Sequence, residues 1–150
     1  MSWPEPISKV MRLPGGACFY KCALQVNPTH YAGTYRGKNH GLDESKYVSS
    51  LVAKCIELDI RVMAITDHNH AGSIEHIRDE AKKNGIYVFP GFEISSAEGA
   101  HILCIYPPET RADKLGRYLG EFGIRDVDPS TKLSTKSVAD ILSCVREQGG

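Results

Sequence analysis

The stretch Ala64-Ile65-Thr66-Asp67-His68-Asn69-His70, with Pro90-Gly91-Phe92-Glu93 downstream of it, decides how this chain folds. An apolar run, Val62 to Ile65, stops abruptly at Thr66-Asp67-His68-Asn69, and a second, Ile86 to Phe89, stops at Pro-Gly-Phe-Glu. Both read as buried strands. Each would deliver metal-binding side chains at its C-terminal end, where parallel α/β folds build their sites. A third strand, in the apolar run from His101 to Tyr106, opens on another histidine. Asp67, His68, Glu93 and His101 together make a donor set for divalent metal.

Working outward, Phe19 to Val26 reads as a first strand, and Asn27 to Gly41 as a polar loop with three glycines and two histidines. A loop of that length is more often functional than a plain connector. Glu44 to Leu58 follows as a helix, with Val48, Leu51, Val52, Cys55 and Ile56 at helical spacing on its sheet side. Strand two is Ile60 to Thr66. Helix two is Ser73 to Lys83, with Ser73 as N-cap and Gly85 as its stop. Strand three covers Ile86 to Phe89 and strand four Ala100 to Tyr106. A third helix, Thr110 to Phe122, buries Leu115, Tyr118 and Leu119. After the polar stretch Arg125 to Thr135, a last helix carries Val138, Ile141, Leu142 and Val145 on one face.

Alternating strands and helices imply βα units around a parallel sheet. Residues 1–17, rich in Pro and Gly, form a lead-in, and 18–150 read as one domain. A sheet of four strands would be left open at its last edge. The chain is therefore read as the front part of a longer protein, incomplete at its C-terminal end.

With 150 residues the chain can bury a core of its own. Its 18 basic and 18 acidic side chains cancel, so no basic surplus announces a nucleic-acid surface. No apolar stretch is long enough to span a membrane, and the N-terminus lacks a signal peptide's apolar core. The cytoplasm is the expected location. The five cysteines, Cys18, Cys22, Cys55, Cys104 and Cys144, include no Cys-x-x-Cys and read as small buried hydrophobes. No Gly-x-x-x-x-Gly-Lys-Ser/Thr loop occurs.

Ala-Ile-Thr-Asp-His-Asn followed by Gly72, and Pro-Gly-Phe-Glu-Ile followed by His101, resemble in order and spacing two motifs of the PHP (polymerase and histidinol phosphatase) superfamily. The resemblance implies an α/β fold, the front part of a distorted (β/α)7 TIM-like barrel. It further implies a site of two or more divalent ions (Mn2+, Mg2+ or Zn2+) at the strand ends when the ligand set is intact. Phe-Pro-Gly-Phe-Glu-Ile-Ser-Ser also resembles PHP domains fused to AAA- or SMC-type ATPases, such as the anti-phage Ppl-like and TrlF-like proteins. That implies an ATPase domain beyond Gly150.

The first strand departs from the family. Where its members usually carry His-x-His, this chain has Gln25 and Asn27, with Ala23 in place of the preceding Asp. Amide oxygens are weaker ligands than imidazole for zinc or iron. One metal position should be weakened or lost.

Such a site hydrolyses phosphoesters. The resemblance gives Glu93 the role of bridging ligand and puts His101 on the same ions. His68 would ligate beside them, and Asp67 would either ligate or orient His68. Gln25 and Asn27 complete the metal set, and Asp67, His68 and Glu93 are the catalytic candidates. His30 and His40 are candidate loop ligands; Arg36 and Lys38 are candidate phosphate contacts, alongside Tyr31 and Tyr35. Duller roles stand beside these: Asp67 as a helix cap, His68 as a hydrogen-bonded loop residue, His101 as a half-exposed strand opener, the loop as polar surface.

Two functions follow as expectations. One is a metal-dependent phosphoesterase, the nuclease or nucleotide phosphatase module of an ATPase-linked, anti-phage protein, forming a homo-oligomer and touching no membrane. The other is a catalytically degenerate domain that senses a nucleotide or nucleic acid, or serves assembly.

Overall fold

A computed structural model describes residues 19–28, 41–72, 74–125, 128–129 and 131–150. The lead-in, most of the loop after the first strand (with His30, His40, Arg36 and Lys38), Ser73 and Cys18 lie outside the described residues. In chain order the elements are β1 (Lys21–Val26), α1 (Glu44–Glu57), β2 (Ile60–His68), α2 (Ile74–Lys83), β3 (Tyr87–Ser95), β4 (His101–Ile105), α3 (Ala112–Glu121) and α4 (Val138–Glu147). The fold is mixed α/β.

The four strands form one sheet in the order β1-β2-β3-β4. β1, β2 and β3 run parallel, each crossover made by a helix. The last pair corrects the expectation of an all-parallel sheet: β3 and β4 are antiparallel, with Gly91 opposite Ile105 and Ser95 opposite His101. Only Ser96 to Ala100 join them, far too few residues for a parallel crossover. Ser96 N–H donates to Ala100 O at 2.8 Å, and Gly99 turns the chain at φ 84.

Strand three also outruns its expected end at Phe89, continuing through Pro90-Gly91-Phe92-Glu93 to Ser95. Pro90 is tolerated because it precedes the first β3–β4 pair, Gly91 with Ile105, so its missing N–H falls at the margin of that ladder. β2 likewise reaches His68, past the expected end at Thr66.

One face of the sheet carries the core. Met63 and Ile65 of β2, Val88, Phe92 and Ile94 of β3, and Cys104 of β4 pack against Val48, Val52, Cys55, Ile74, Ile77, Leu115, Leu119 and Ile141 of the helices. Each such aliphatic side chain contributes about 1.5–3 kcal/mol by leaving water. Two expected core residues are corrected: Ile56 and Leu142 are 52% and 54% exposed, at the outer margins of their helical stripes. Among the cysteines, Cys55 and Cys104 are buried as expected, whereas Cys22 is exposed.

Local chemistry fixes the helix starts. The Asp43 side chain accepts from Lys46 N at 2.8 Å to cap α1, and Ser137 accepts from Asp140 N to cap α4. α3 is capped from outside, Glu75 Oε1 of α2 accepting Ala112 N at 2.9 Å. Gly85, at φ 69, closes α2 as its sequence position suggests.

Candidate metal centre

The antiparallel hairpin brings the start of β4 to the edge where β2 and β3 end. Strand alternation does the rest. Phe92 and Ile94 face the core, so Glu93 and Ser95 face the other side of the sheet. Two register pairs meet there, His68 with Glu93 across β2 and β3, and Ser95 with His101 across β3 and β4.

The side chains converge accordingly. His101 Nδ1 lies 2.6 Å from Glu93 Oε1, and His68 Nε2 lies 3.2 Å from Ser95 Oγ. The two imidazole rings are 5.2 Å apart between centroids. One ligand atom from each of His68, Glu93 and His101 falls within 4.8 Å of the others. Glu93 is buried at the floor of the cluster, His68 is half-buried, and His101 is exposed at the rim. Two imidazoles and a carboxylate this close are chemically suited to a divalent ion. A buried carboxylate without such partners would be costly.

Gln25 joins them from β1, its Nε2 donating to Glu93 Oε2 at 2.6 Å. Simple alternation would put Gln25 on the same face as Ala23. The pairing of β1 with β2 slips between Ala23 and Val26, and both of these pack toward the core. The extra residue turns Gln25 to the opposite face, toward Glu93.

Asp67 stands apart from this cluster. It shares its face with Phe92, its register partner. Its Oδ1 accepts the His68 backbone N–H at 2.9 Å, and its Oδ2 lies 3.5 Å from His70 Nδ1. It therefore steadies the backbone that carries His68. The Asp67 charge also acts on Tyr47: burial chiefly, and that charge in addition, push the phenol above its ordinary pKa. Asn27 contributes its backbone carbonyl, which accepts the Tyr47 hydroxyl at 2.7 Å.

Sequence reasoning missed three residues around the centre. Ser95 escaped because the strand was ended early; carried past Glu93, the period of two places it on the ligand face. Tyr47 sits on a helix face that periodicity marks only as core. Asn69 is a left-handed residue at φ 60, buried, whose Nδ2 donates to Lys132 O at 2.9 Å and Pro129 O at 3.3 Å. Its backbone N–H donates to Glu93 O at 2.8 Å. Asn69 thus ties the end of β2 to both the ligand strand and the segment around residues 129–132.

A model of the PHP domain family matches residues 39–134, more than half of the chain. The chain belongs to the PHP domain family. His68, Glu93 and His101 all lie within the matched segment, whereas Gln25 and Asn27 lie upstream of it. No curated protein and no solved structure matches the chain. Among the described residues, no helix is long and apolar enough to cross a membrane.

Proposed function

We propose that this PHP domain is a metal-dependent phosphoesterase whose ion is held by His68, Glu93 and His101. The observation that carries the reading is the convergence of those three side chains at one sheet edge. A divalent ion bound there supplies Lewis acidity toward a phosphoryl oxygen and lowers the pKa of water. The protein's own contribution is positioning. Glu93 is fixed by Gln25 and His101, His68 by Ser95 and by the Asp67 contact to its backbone. Asp67 acts in this reading through His68. His30 and His40 as further ligands, and Arg36 and Lys38 as phosphate contacts, belong to the same proposal.

The wider reading makes the domain a nuclease or nucleotide phosphatase module joined to an ATPase domain, with a role in phage defence, in the cytoplasm and as a homo-oligomer. Its support is the Phe-Pro-Gly-Phe-Glu-Ile-Ser-Ser phrase, which resembles ATPase-linked members. Gln25 and Asn27 favour a second reading, in which catalysis is lost and the domain binds a nucleotide or nucleic acid or serves assembly.

Turnover of bis-p-nitrophenyl phosphate with added Mn2+ tests the first reading. It predicts hydrolysis that chelation and Glu93→Ala both abolish. Hydrolysis that survives both, or no hydrolysis with metal fully bound, would contradict it.

A further inference from the structure

Ser95 is a buried hydroxyl residue on the ligand face of β3, two positions beyond Glu93. Its backbone is held from both sides. It is the register partner of His101 in β4, and its carbonyl accepts the Ser134 N–H at 2.7 Å. Opposed residues of an antiparallel pair keep their Cβ atoms about 4.5–5.5 Å apart, so the hydroxyl starts beside the His101 side chain. It ends 3.2 Å from His68 Nε2. The other nitrogen of that ring, Nδ1, is sealed from solvent.

That 3.2 Å spacing suits two donors of one ion. Donors bound at about 2.1 Å stand about 3.0–3.4 Å apart, between octahedral and tetrahedral angles. A serine hydroxyl carries two lone pairs and one proton, so it can give a lone pair to an ion without being ionised. Phosphate-binding loops use serine or threonine in this way toward Mg2+.

We infer that Ser95 Oγ is a donor to the ion, alongside His68 Nε2, Glu93 and His101. The inference rests on the metal-centre reading above and deepens it. Ser95 brings a hard oxygen to a set otherwise made of two imidazoles and a carboxylate, which suits Mg2+ or Mn2+.

Replacing the oxygen by sulfur tests this in the 150-residue chain. Ser95→Cys loaded with Co2+ should show a near-ultraviolet thiolate-to-metal charge-transfer band that the unaltered chain lacks, because a thiolate bonds directly to such an ion. Adding Glu93→Ala should remove the band, which separates it from binding at exposed Cys22. Ser95→Ala is the second variant, with thermal melting as the check on its fold. Its bound Mn2+ should carry one more water, counted from the broadening of its electron paramagnetic resonance lines in isotopically labelled water. Its affinity should fall roughly tenfold or more. Co2+ bound by folded Ser95→Cys without the band would overturn the donor assignment and leave the metal centre standing. So would an unchanged water count in folded Ser95→Ala, since a residue that merely orients His68 changes affinity and not the waters on the ion. Where Ser95→Cys does not fold, Ser95→Ala decides. Failure of the unaltered chain to bind either Co2+ or Mn2+ would overturn the metal-centre reading itself.

Discussion

Replacing Gly91 by alanine should damage this protein more than its small size suggests. A Cβ at Gly91 would stand 2.2 Å from Cys104 O, whereas ordinary contact begins at 3.4 Å. The obstacle is backbone, not the tip of a flexible side chain. To relieve the clash, β4 must retreat by about 1 Å, and overpacking of this kind costs about 1–3 kcal/mol, occasionally more. We expect a loss near the upper end, about 3 kcal/mol, because the shift stretches a ladder and not a single rotamer. The same movement reaches the metal centre, since His101 opens the strand that is displaced and Glu93 lies two residues from Gly91. Gly116 of α3 is the control: a Cβ there meets nothing within 4 Å, so Gly116→Ala should stabilise by roughly 0.5–1 kcal/mol through helix propensity alone. Urea unfolding and Mn2+ titration of both variants read out the contrast. Gly91→Ala with stability within about 0.5 kcal/mol of the unaltered chain, and undiminished Mn2+ affinity, would refute the reasoning.

Other consequences follow from particular contacts. Asn69→Ala forfeits two side-chain hydrogen bonds and forces alanine into a left-handed conformation, so it should destabilise more than Asn69→Gly by about 1 kcal/mol, measured by denaturant unfolding. The Lys132 ammonium first, and the Arg125 backbone N–H next, hold the Asp128 carboxyl below its usual range. Its stabilisation is therefore full above the unfolded carboxyl pKa of about 3.9 and fades as pH falls through the lower folded value. Thermal melts should accordingly show Asp128→Asn less stable than the unaltered chain near neutrality, with the gap closing in acid; a gap that widens in acid would contradict the assignment. Burial pushes the Cys104 thiol up to about 12 and raises that of Cys55, so a thiol reagent at mildly alkaline pH should label exposed Cys22 at once and these two only on unfolding. Mass spectrometry of the labelled peptides reads this directly.

The sequence made some elements plain and hid others for identifiable reasons. β2 and its ligand were legible because the apolar run from Val62 to Ile65 ends sharply in Thr-Asp-His-Asn. Helix stripes were legible at their centres, through Val48, Val52, Leu115 and Ile141, but not at margins such as Ile56 and Leu142, where periodicity alone does not fix the width of the buried face. The antiparallel β3–β4 hairpin was misread because the run from His101 looked like another βα unit. The signal was present in the shortness of the Ser96 to Ala100 connection, which no parallel crossover could use. Pro90-Gly91 was read as a strand end on composition, yet both residues lie within the ladder, Pro90 at its margin and Gly91 where only a hydrogen fits beneath Cys104 O. His68, Glu93 and His101 could be picked out one by one. Their grouping as one donor set was an expectation too, but the antiparallel hairpin that brings His101 to the other two was not. Nor was the turning of Gln25 toward Glu93, which depends on a register slip that leaves no mark in the sequence.

The central claim is that His68, Glu93 and His101 hold a divalent ion, and paramagnetic broadening tests it most directly. Substoichiometric Mn2+ added to the isotope-labelled chain should first extinguish the amide signals of His68, Glu93, Ser95 and His101, and Glu93→Ala should abolish that selectivity. Persistence of those four signals while others disappear, around Asp128 or Asp140 for instance, would contradict the account.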